Sequence, residues 1–146
     1  MNKSWVPLLL GLMVPGVMPF AATACPGLAV EAPWIREPPP GARVLAGFAE
    51  LVNSGSAPVV IDRAESPQFA HVMLHESRLE NGLARMVPHA TLVVPPGGSL
   101  SLAPGGLHLM LHEPQQAPAP GQKLPIVLHC GSSEVSVDFE IRPEAP

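Results

Sequence analysis

Aromatic and charged residues are scarce in this chain of 146 residues. It has no Tyr, four Phe and two Trp, and charged residues make up only 14% of it. Without a set of aromatic side chains, we expect no platform on which sugars or single-stranded nucleic acids would stack. The net charge is −4 with no basic cluster, which excludes the usual electrostatic footprint of a nucleic-acid-binding protein. Disorder is also unexpected, because 47% of the residues are hydrophobic despite 20 prolines.

The N-terminus has the pattern of a secretory signal peptide. Lys3 precedes an uncharged apolar run from Trp5 to Ala24, which ends in small residues. We therefore predict a signal peptide at residues 1–24 and one mature domain at residues 25–146, exported from the reducing cytosol. A membrane-spanning helix is the alternative, but Pro and Gly residues interrupt the run.

The chain has only two cysteines, and both belong to the predicted mature domain. In an oxidising compartment the pair Cys25 and Cys130 favours a disulfide, which would join the two ends of the domain. A second interpretation is that Cys25 is acylated as in a lipoprotein, because small residues precede it. Such sites usually carry Leu where this chain has Ala22. Only in the acylated form would we expect the protein to be anchored to a membrane.

The mature sequence is typical of an all-β protein. Segments rich in apolar and β-branched residues alternate with turns that contain Gly, Pro or Asn, and no helix of useful length fits between them. Many short strands in a small exported domain predict a β-sandwich or a Greek-key barrel. The predicted strands are Leu28–Arg36, Arg43–Asn53, Val59–Arg63, Phe69–Ser77, Leu83–Val87, Thr91–Val94, Ser99–Leu102, Leu107–His112, Lys123–Cys130 and Glu134–Arg142.

Histidine and methionine concentrate on one face of two of these strands. Both strands alternate apolar residues with two His and one Met, so that one face is aliphatic and the other carries imidazoles and a thioether. A single Met is usually core packing and a single exposed His is usually solvated, but two matching strands predict a surface metal site if they are neighbours. The residues concerned are His108, Met110 and His112 in one strand and His71, Met73 and His75 in the other.

Thioether and imidazole ligands point to copper. Cu(I) is a soft ion that accepts both, whereas zinc prefers thiolate, imidazole and carboxylate. Methionine also stays a ligand in an oxidising compartment, where paired thiols become disulfides. Because these ligands are neutral and the site faces outward, the ligands of a partner can replace them one at a time. Such a site is better suited to delivery than to storage.

The spacing of four of these residues resembles the signature of the periplasmic copper chaperones called the PCuAC family. The pattern is His-x10-Met-x21-His-x-Met, and it is met by His75, Met86, His108 and Met110. The resemblance extends to Trp34-Ile35-Arg36, Ala46-Gly47-Phe48 and the segment Pro104 to Leu111, and it covers residues 28–142.

The resemblance implies a fold, a ligand set and a role. The fold would be a single cupredoxin-like Greek-key β-barrel, and the protein would be a periplasmic monomer without enzymatic activity. The four residues His75, Met86, His108 and Met110 would bind one Cu(I). The protein would deliver this ion to the copper centre of cytochrome c oxidase or to an assembly factor of that enzyme.

His112, two positions after the end of the pattern, departs from the family. His112 stands where many members have Met, and strand alternation places it about 6.6 to 6.8 Å beyond Met110 on the same face. Two interpretations are open. His112 either lines the rim of the site, where an imidazole would accept Cu(II) or assist exchange, or it is a solvated residue at the end of a strand.

Three other functions compete with a copper chaperone. An electron-transfer cupredoxin needs a Cys thiolate followed closely by His and Met, and neither follows Cys130. A hydrolase could use His129, Ser132 and Asp138, but the sequence has no nucleophile motif around them. A structural β module with an incidental His/Met stripe would bind no copper.

Overall fold

The computed structural model describes residues 25–146, and eleven β-strands are its only regular elements in that range. The predicted signal peptide lies outside the described residues, and no helix within the described residues could span a membrane. The strands are β1 (Leu28–Arg36), β2 (Val44–Asn53), β3 (Val59–Ile61), β4 (Arg63–Glu65), β5 (Phe69–Glu80), β6 (Leu83–His89), β7 (Leu92–Val94), β8 (Ser99–Leu102), β9 (Leu107–Pro114), β10 (Lys123–Cys130) and β11 (Ser133–Arg142).

Seven of these strands close into a barrel. Neighbouring strands follow the order β1-β11-β10-β4-β5-β9-β2, and β2 pairs back onto β1. The β1–β11 pair is parallel, and the other barrel pairs are antiparallel. Outside the barrel, β8 extends the pairing of β2, β6 forms a hairpin with β5, and β3 and β7 make a small separate sheet. The all-β barrel expected from the sequence is confirmed.

Alternation along β5 and β9 separates the core from the surface. Leu74 in β5 and Leu109 and Leu111 in β9 are buried in the main hydrophobic cluster together with Phe139 and Ile126. Burying one such side chain contributes about 1.5 to 3 kcal/mol. Because successive side chains of a strand point to opposite faces, the His and Met residues between these leucines lie on the outside of the barrel.

One predicted strand is two strands in the structure, and several others, such as β5, β6 and β9, extend two or three residues beyond their predicted ends. The segment Val59–Arg63 is divided, because β3 ends at Ile61 and pairs with β7, whereas β4 joins the barrel between β10 and β5. Asp62 marks the change of sheet: its backbone N–H donates to the carbonyl of His129, and its carboxylate accepts from the N–H of Gly131 at 3.1 Å. A strand of only three residues carries too little periodicity to be recognised in the sequence.

A disulfide joins the start of the domain to the end of β10. It links Cys25 with Cys130 across a sequence separation of 105 residues, and Cys25 is buried. The structure therefore agrees with the disulfide interpretation of the two cysteines. An acyl chain on Cys25 would use the same sulfur atom, so one molecule cannot carry both.

We expect the disulfide to contribute strongly to stability. Replacing both cysteines, Cys25→Ser with Cys130→Ser, should lower the free energy of unfolding by up to about 4.7 kcal/mol, because loop closure over about 100 residues no longer restricts the unfolded chain. Urea denaturation of the oxidised protein and the double variant measures the difference. Wild-type protein kept in reductant is the control and should match the variant. A variant as stable as the oxidised protein would contradict this expectation.

Candidate metal centre

The two strands that carry the His/Met stripes are neighbours in the barrel. Residues that face each other across an antiparallel pair have Cβ atoms about 4.5 to 5.5 Å apart. The pairing of β5 with β9 places His71 opposite His112, Met73 opposite Met110, and His75 opposite His108. We refer to these six residues as the His/Met ladder. The adjacency on which the predicted site depended is therefore present.

Met86 reaches the same outer face from β6. It lies opposite Ser77, which follows His75 by two positions and therefore points to the same side of the sheet. The Ser77 hydroxyl donates to the Met86 sulfur at 3.5 Å, and the Met86 side chain is 51% exposed. Met86 thus lies one step beyond the pair of His75 and His108 along the strands, while Met110 lies one step before it. The structure brings all four predicted ligands to one face.

His108 is held in place by an aromatic row that crosses four strands. The row consists of Trp34, Phe48, His108 and His75, in β1, β2, β9 and β5. The ring centroids are 4.8 Å apart for Trp34 and Phe48, 6.3 Å for Phe48 and His108, and 6.2 Å for His108 and His75. His108 is only 4% exposed although it lies on the outer face. Its orientation is therefore fixed by packing.

A hydrogen bond selects the tautomer of His108. Its Nδ1 lies 3.0 Å from the carbonyl oxygen of Gly106. Since a carbonyl only accepts, Nδ1 carries the proton and donates, and Nε2 keeps its lone pair. A backbone carbonyl that orients an imidazole in this way is a common partner of metal-binding histidines.

His75 has two ring nitrogens without a hydrogen-bond partner. Both are enclosed, and neither finds a donor or acceptor within residues 25–146. Buried polar groups are normally paired, so this arrangement needs a further group to satisfy it. Burial lowers the pKa of His75, and the positive charge that His108, His112 and His89 can carry lowers it further. His75 is therefore biased toward the neutral form that a metal ion requires.

The site opens to solvent through a small cavity. It has a volume of about 170 Å³ and lies between the backbone around Pro104 and the side chains of Met86, His108, Phe48 and Arg36. The Arg36 guanidinium lies 5.5 Å from the centre of the Phe48 ring. This cavity provides a route along which an external ligand can approach the candidate metal ligands.

The donors available at the site are neutral. In the described part of the chain, no three residues among His, Cys, Asp and Glu form a group that could hold a metal ion. At each histidine pair the His/Met ladder offers two imidazoles, and neighbouring methionines add thioether donors. This combination fits Cu(I) and is a poor match for zinc.

The residues of the competing interpretations are used differently. Cys130 is bonded to Cys25 and so supplies no thiolate for a blue-copper centre. His129 is buried and lies 2.9 Å from a carboxylate oxygen of Glu65 and 3.2 Å from the guanidinium of Arg63. Asp138 lies opposite Pro125, four positions along β10 from His129, so these residues do not form a catalytic triad.

Sequence reasoning overlooked the residues that support the site. Trp34 and Phe48 were identified from the sequence only among the residues that resemble the family. Their contact with the site depends on the pairing of β1 with β2 and of β2 with β9. One signal was available: Phe48 occupies an outward position between Gly47 and Ala49, where a polar residue would be usual.

Comparisons with known proteins agree with this architecture. Residues 28–141 match the family described as "Putative lipoprotein LpqE-like". "Putative lipoprotein Lxx21020" from Leifsonia xyli subsp. xyli (strain CTCB07) is 30% identical over 111 residues, which are 75% of this chain and 66% of that protein. The chain therefore spans just under two thirds of the length of this curated relative.

Three solved structures have the same fold. "Apo PCuAC domain from PmoF1" superposes with a TM-score of 0.67 at 26% identity, covering 86% of this chain and 100% of that one. "Copper-bound PCuAC domain from PmoF2" gives 0.68 at 24% identity, with coverages of 87% and 100%. The solution structure of apo-DR1885 from Deinococcus radiodurans gives 0.65 at 21% identity, with coverages of 99% and 95%. The expected resemblance to PCuAC domains is confirmed, and the chain belongs to the LpqE-like family.

Proposed function

We propose that this protein is a copper chaperone that binds one Cu(I) ion through His75, Met86, His108 and Met110. The observation that carries the proposal is the pair of opposed imidazoles, His75 and His108, with a thioether on each side. The structural relatives include a copper-bound PCuAC domain from PmoF2 and CuI-DR1885 from Deinococcus radiodurans. These copper-bound relatives support copper as the ion that this site takes.

Each ligand has a distinct part in the proposed site. His108 offers Nε2, because its Nδ1 proton is held by Gly106. His75 offers a ring nitrogen that has no other partner among the described residues. Met86 and Met110 add polarisable sulfur atoms, which a soft ion prefers and a hard ion does not. Imidazole and thioether ligands are uncharged when they bind an ion, so binding adds the full charge of the ion to the site.

The exposure of the ligands suits transfer to another protein. Met86 is the most exposed of the four and belongs to the β5–β6 hairpin, outside the closed barrel. A partner that approaches through the cavity beside Met86 and His108 can replace this thioether first, while the buried His108 still holds the ion. We propose that the acceptor is a cuproprotein, such as the copper centre of cytochrome c oxidase or one of its assembly factors.

We further propose that the mature protein, residues 25–146, is an exported periplasmic monomer. The predicted signal peptide supports export, and the word lipoprotein in the descriptions of its family and its relative is consistent with it. The Cys25–Cys130 bond favours an oxidising compartment and competes with acylation of Cys25.

The mass of the secreted protein distinguishes the two fates of Cys25. We expect protein recovered from the cell envelope to begin at Cys25, to lack lipid, and to gain two mass units on reduction. Blocking free thiols before reduction should leave the mass unchanged. A diacylglyceryl adduct, or two thiols that react without reduction, would refute the disulfide form.

The ligand assignment is tested by removing sulfur while keeping volume. Met86→Leu and Met110→Leu should each weaken Cu(I) binding by at least about tenfold, which corresponds to about 1.4 kcal/mol. Competition with a Cu(I) chelator gives the affinity, and X-ray absorption should show nitrogen and sulfur around the ion. Met73→Leu makes the same change on the same face outside the proposed set. It should leave the affinity for the first equivalent unchanged. Wild-type affinity in both ligand variants would overturn the assignment.

Acidification should release the ion, because a protonated imidazole has no lone pair for it. A free imidazole has a pKa of about 6.5, and burial lowers that of His75, so protons compete at a lower pH than at a free imidazole. We expect Cu(I) affinity to change little from about pH 7.5 to 6.5 and to fall as the pH decreases toward about 4.5. The measurement is chelator competition, corrected for protonation of the chelator. Affinity that stays constant over the whole range would exclude His ligands.

A further inference from the structure

The His/Met ladder continues beyond the four proposed ligands. We propose that His71, Met73 and His112, with Met110 as a shared ligand, form a second and weaker Cu(I)-binding position on the same face of the barrel. This second position is supported by the geometry of the described residues, independently of the ligand assignment at the first position.

The register repeats the arrangement of the first position. His71 lies opposite His112 just as His75 lies opposite His108, and the pair of Met73 and Met110 lies between them. At about 3.3 to 3.4 Å per residue, four positions separate the two histidine pairs by about 13 Å. A single ion cannot contact both pairs. The methionine pair is about 6.7 Å from each, so its sulfur atoms can serve either position.

One ring nitrogen of His112 is unsatisfied in the same way as both ring nitrogens of His75. This nitrogen, Nε2, is enclosed and has no hydrogen-bond partner in the part of the chain that the structure describes. His112 lies opposite Val44 of β2, which offers no polar group from its side chain. A solvated histidine at a strand end would have its ring nitrogens in water. The geometry therefore supports a ligand role for His112 over the solvated alternative.

The histidines of the second position are more open than those of the first. At the second position, His71 is exposed and His112 is half-buried. At the first position, His75 is half-buried and His108 is almost completely buried. Tight, rigid enclosure holds ligands in place before the ion arrives, and an exposed side chain loses more conformational freedom on binding. We therefore expect weaker binding and faster exchange at the second position.

The charged residues near the second position pair with one another and do not join its donor set. On β4, Arg63 and Glu65 flank Ala64, which pairs with Val72 between His71 and Met73. The two charged side chains form an ion pair at 3.3 Å and both also contact His129. At the end of β9, Glu113 pairs with Arg43 at 3.3 Å. Two imidazoles and two thioethers therefore remain as the donors, a set that favours Cu(I).

The arrangement gives an ion a continuous path along the outer face. An ion that leaves His75 and His108 can keep its bond to Met110 while it gains Met73, and then His71 and His112. Each step exchanges one neutral ligand for another and needs neither a proton nor an electron. The second position would thus act as an exit or entry point for the cargo.

Copper stoichiometry tests this inference on the disulfide-intact mature protein. Cu(I) supplied from a chelator buffer should fill two equivalents in the wild type, with the second at least about tenfold weaker than the first. His71→Gln combined with His112→Gln should bind one equivalent at the first wild-type affinity. The converse variant, His75→Gln with His108→Gln, should retain one weak equivalent. In NMR spectra of the wild type, the ring signals of His71 and His112 should shift only with the second equivalent.

The two proposals fail in different ways. Wild-type protein that saturates at one equivalent, together with a His75/His108 variant that binds none, would overturn the second position and leave the chaperone site intact. Two equivalents retained after loss of His71 and His112 would also overturn it. A His71/His112 variant without copper binding, beside a His75/His108 variant that still binds one ion, would reject the first position instead. If the His71/His112 variant does not fold, the single change His71→Gln replaces it, because His71 is exposed and its removal opens no cavity.

Discussion

The register between β5 and β9 is the constraint on which the candidate copper face depends. Two histidines and one methionine of each strand face one another because leucines on the opposite sides of both strands are buried in the barrel. Side chains alternate with a period of two, so a slip of one residue would drive imidazoles into the core and leucines into water. The hydrophobic effect that closes the barrel therefore also aligns the histidines.

Other elements set the orientation and exposure of the residues that this register aligns. The row of Trp34 and Phe48 buries one edge of His108, and the turn before β9 supplies the Gly106 carbonyl that selects its tautomer. On the other edge, the β5–β6 hairpin carries Met86 beyond the barrel and leaves its sulfur exposed. The proposed ligands thus range from a buried, rigid histidine to an exposed methionine. Such a gradient allows an ion to be held firmly at one side while it is approached from the other.

The choice of ligands and the disulfide both suit an oxidising compartment. The two cysteines of the described domain link its start to the end of β10, and the sulfur ligands of the candidate site are methionines. A thioether cannot form a disulfide, so the methionines of the candidate site do not interfere with the Cys25–Cys130 bond. The ligands of the candidate site are uncharged when they bind. Copper binding is therefore coupled to proton release only through the imidazoles.

Much of this architecture could be predicted from local patterns. Turn residues and β-branched segments were enough for the all-β class, and alternation in Leu107–His112 was enough to place His108 and Met110 on an outward face. These features are local, because a strand's two faces are decided by neighbours two residues away. The three-residue β4 was missed because it is defined by its partners in β10 and β5 rather than by its own pattern.

Only the tertiary structure decided which strands are adjacent. The residues of β5 and β9 are separated by more than twenty positions, and nothing local in either strand specifies the other as its partner. The same holds for the contact of Phe48 with His108 and for the enclosure of His75 and His112. The sequence by itself determined the identities of the candidate donors and the strand faces on which they lie. Their convergence on one outer surface was decided by barrel closure, because long-range pairing follows from the burial of the whole core rather than from any single segment.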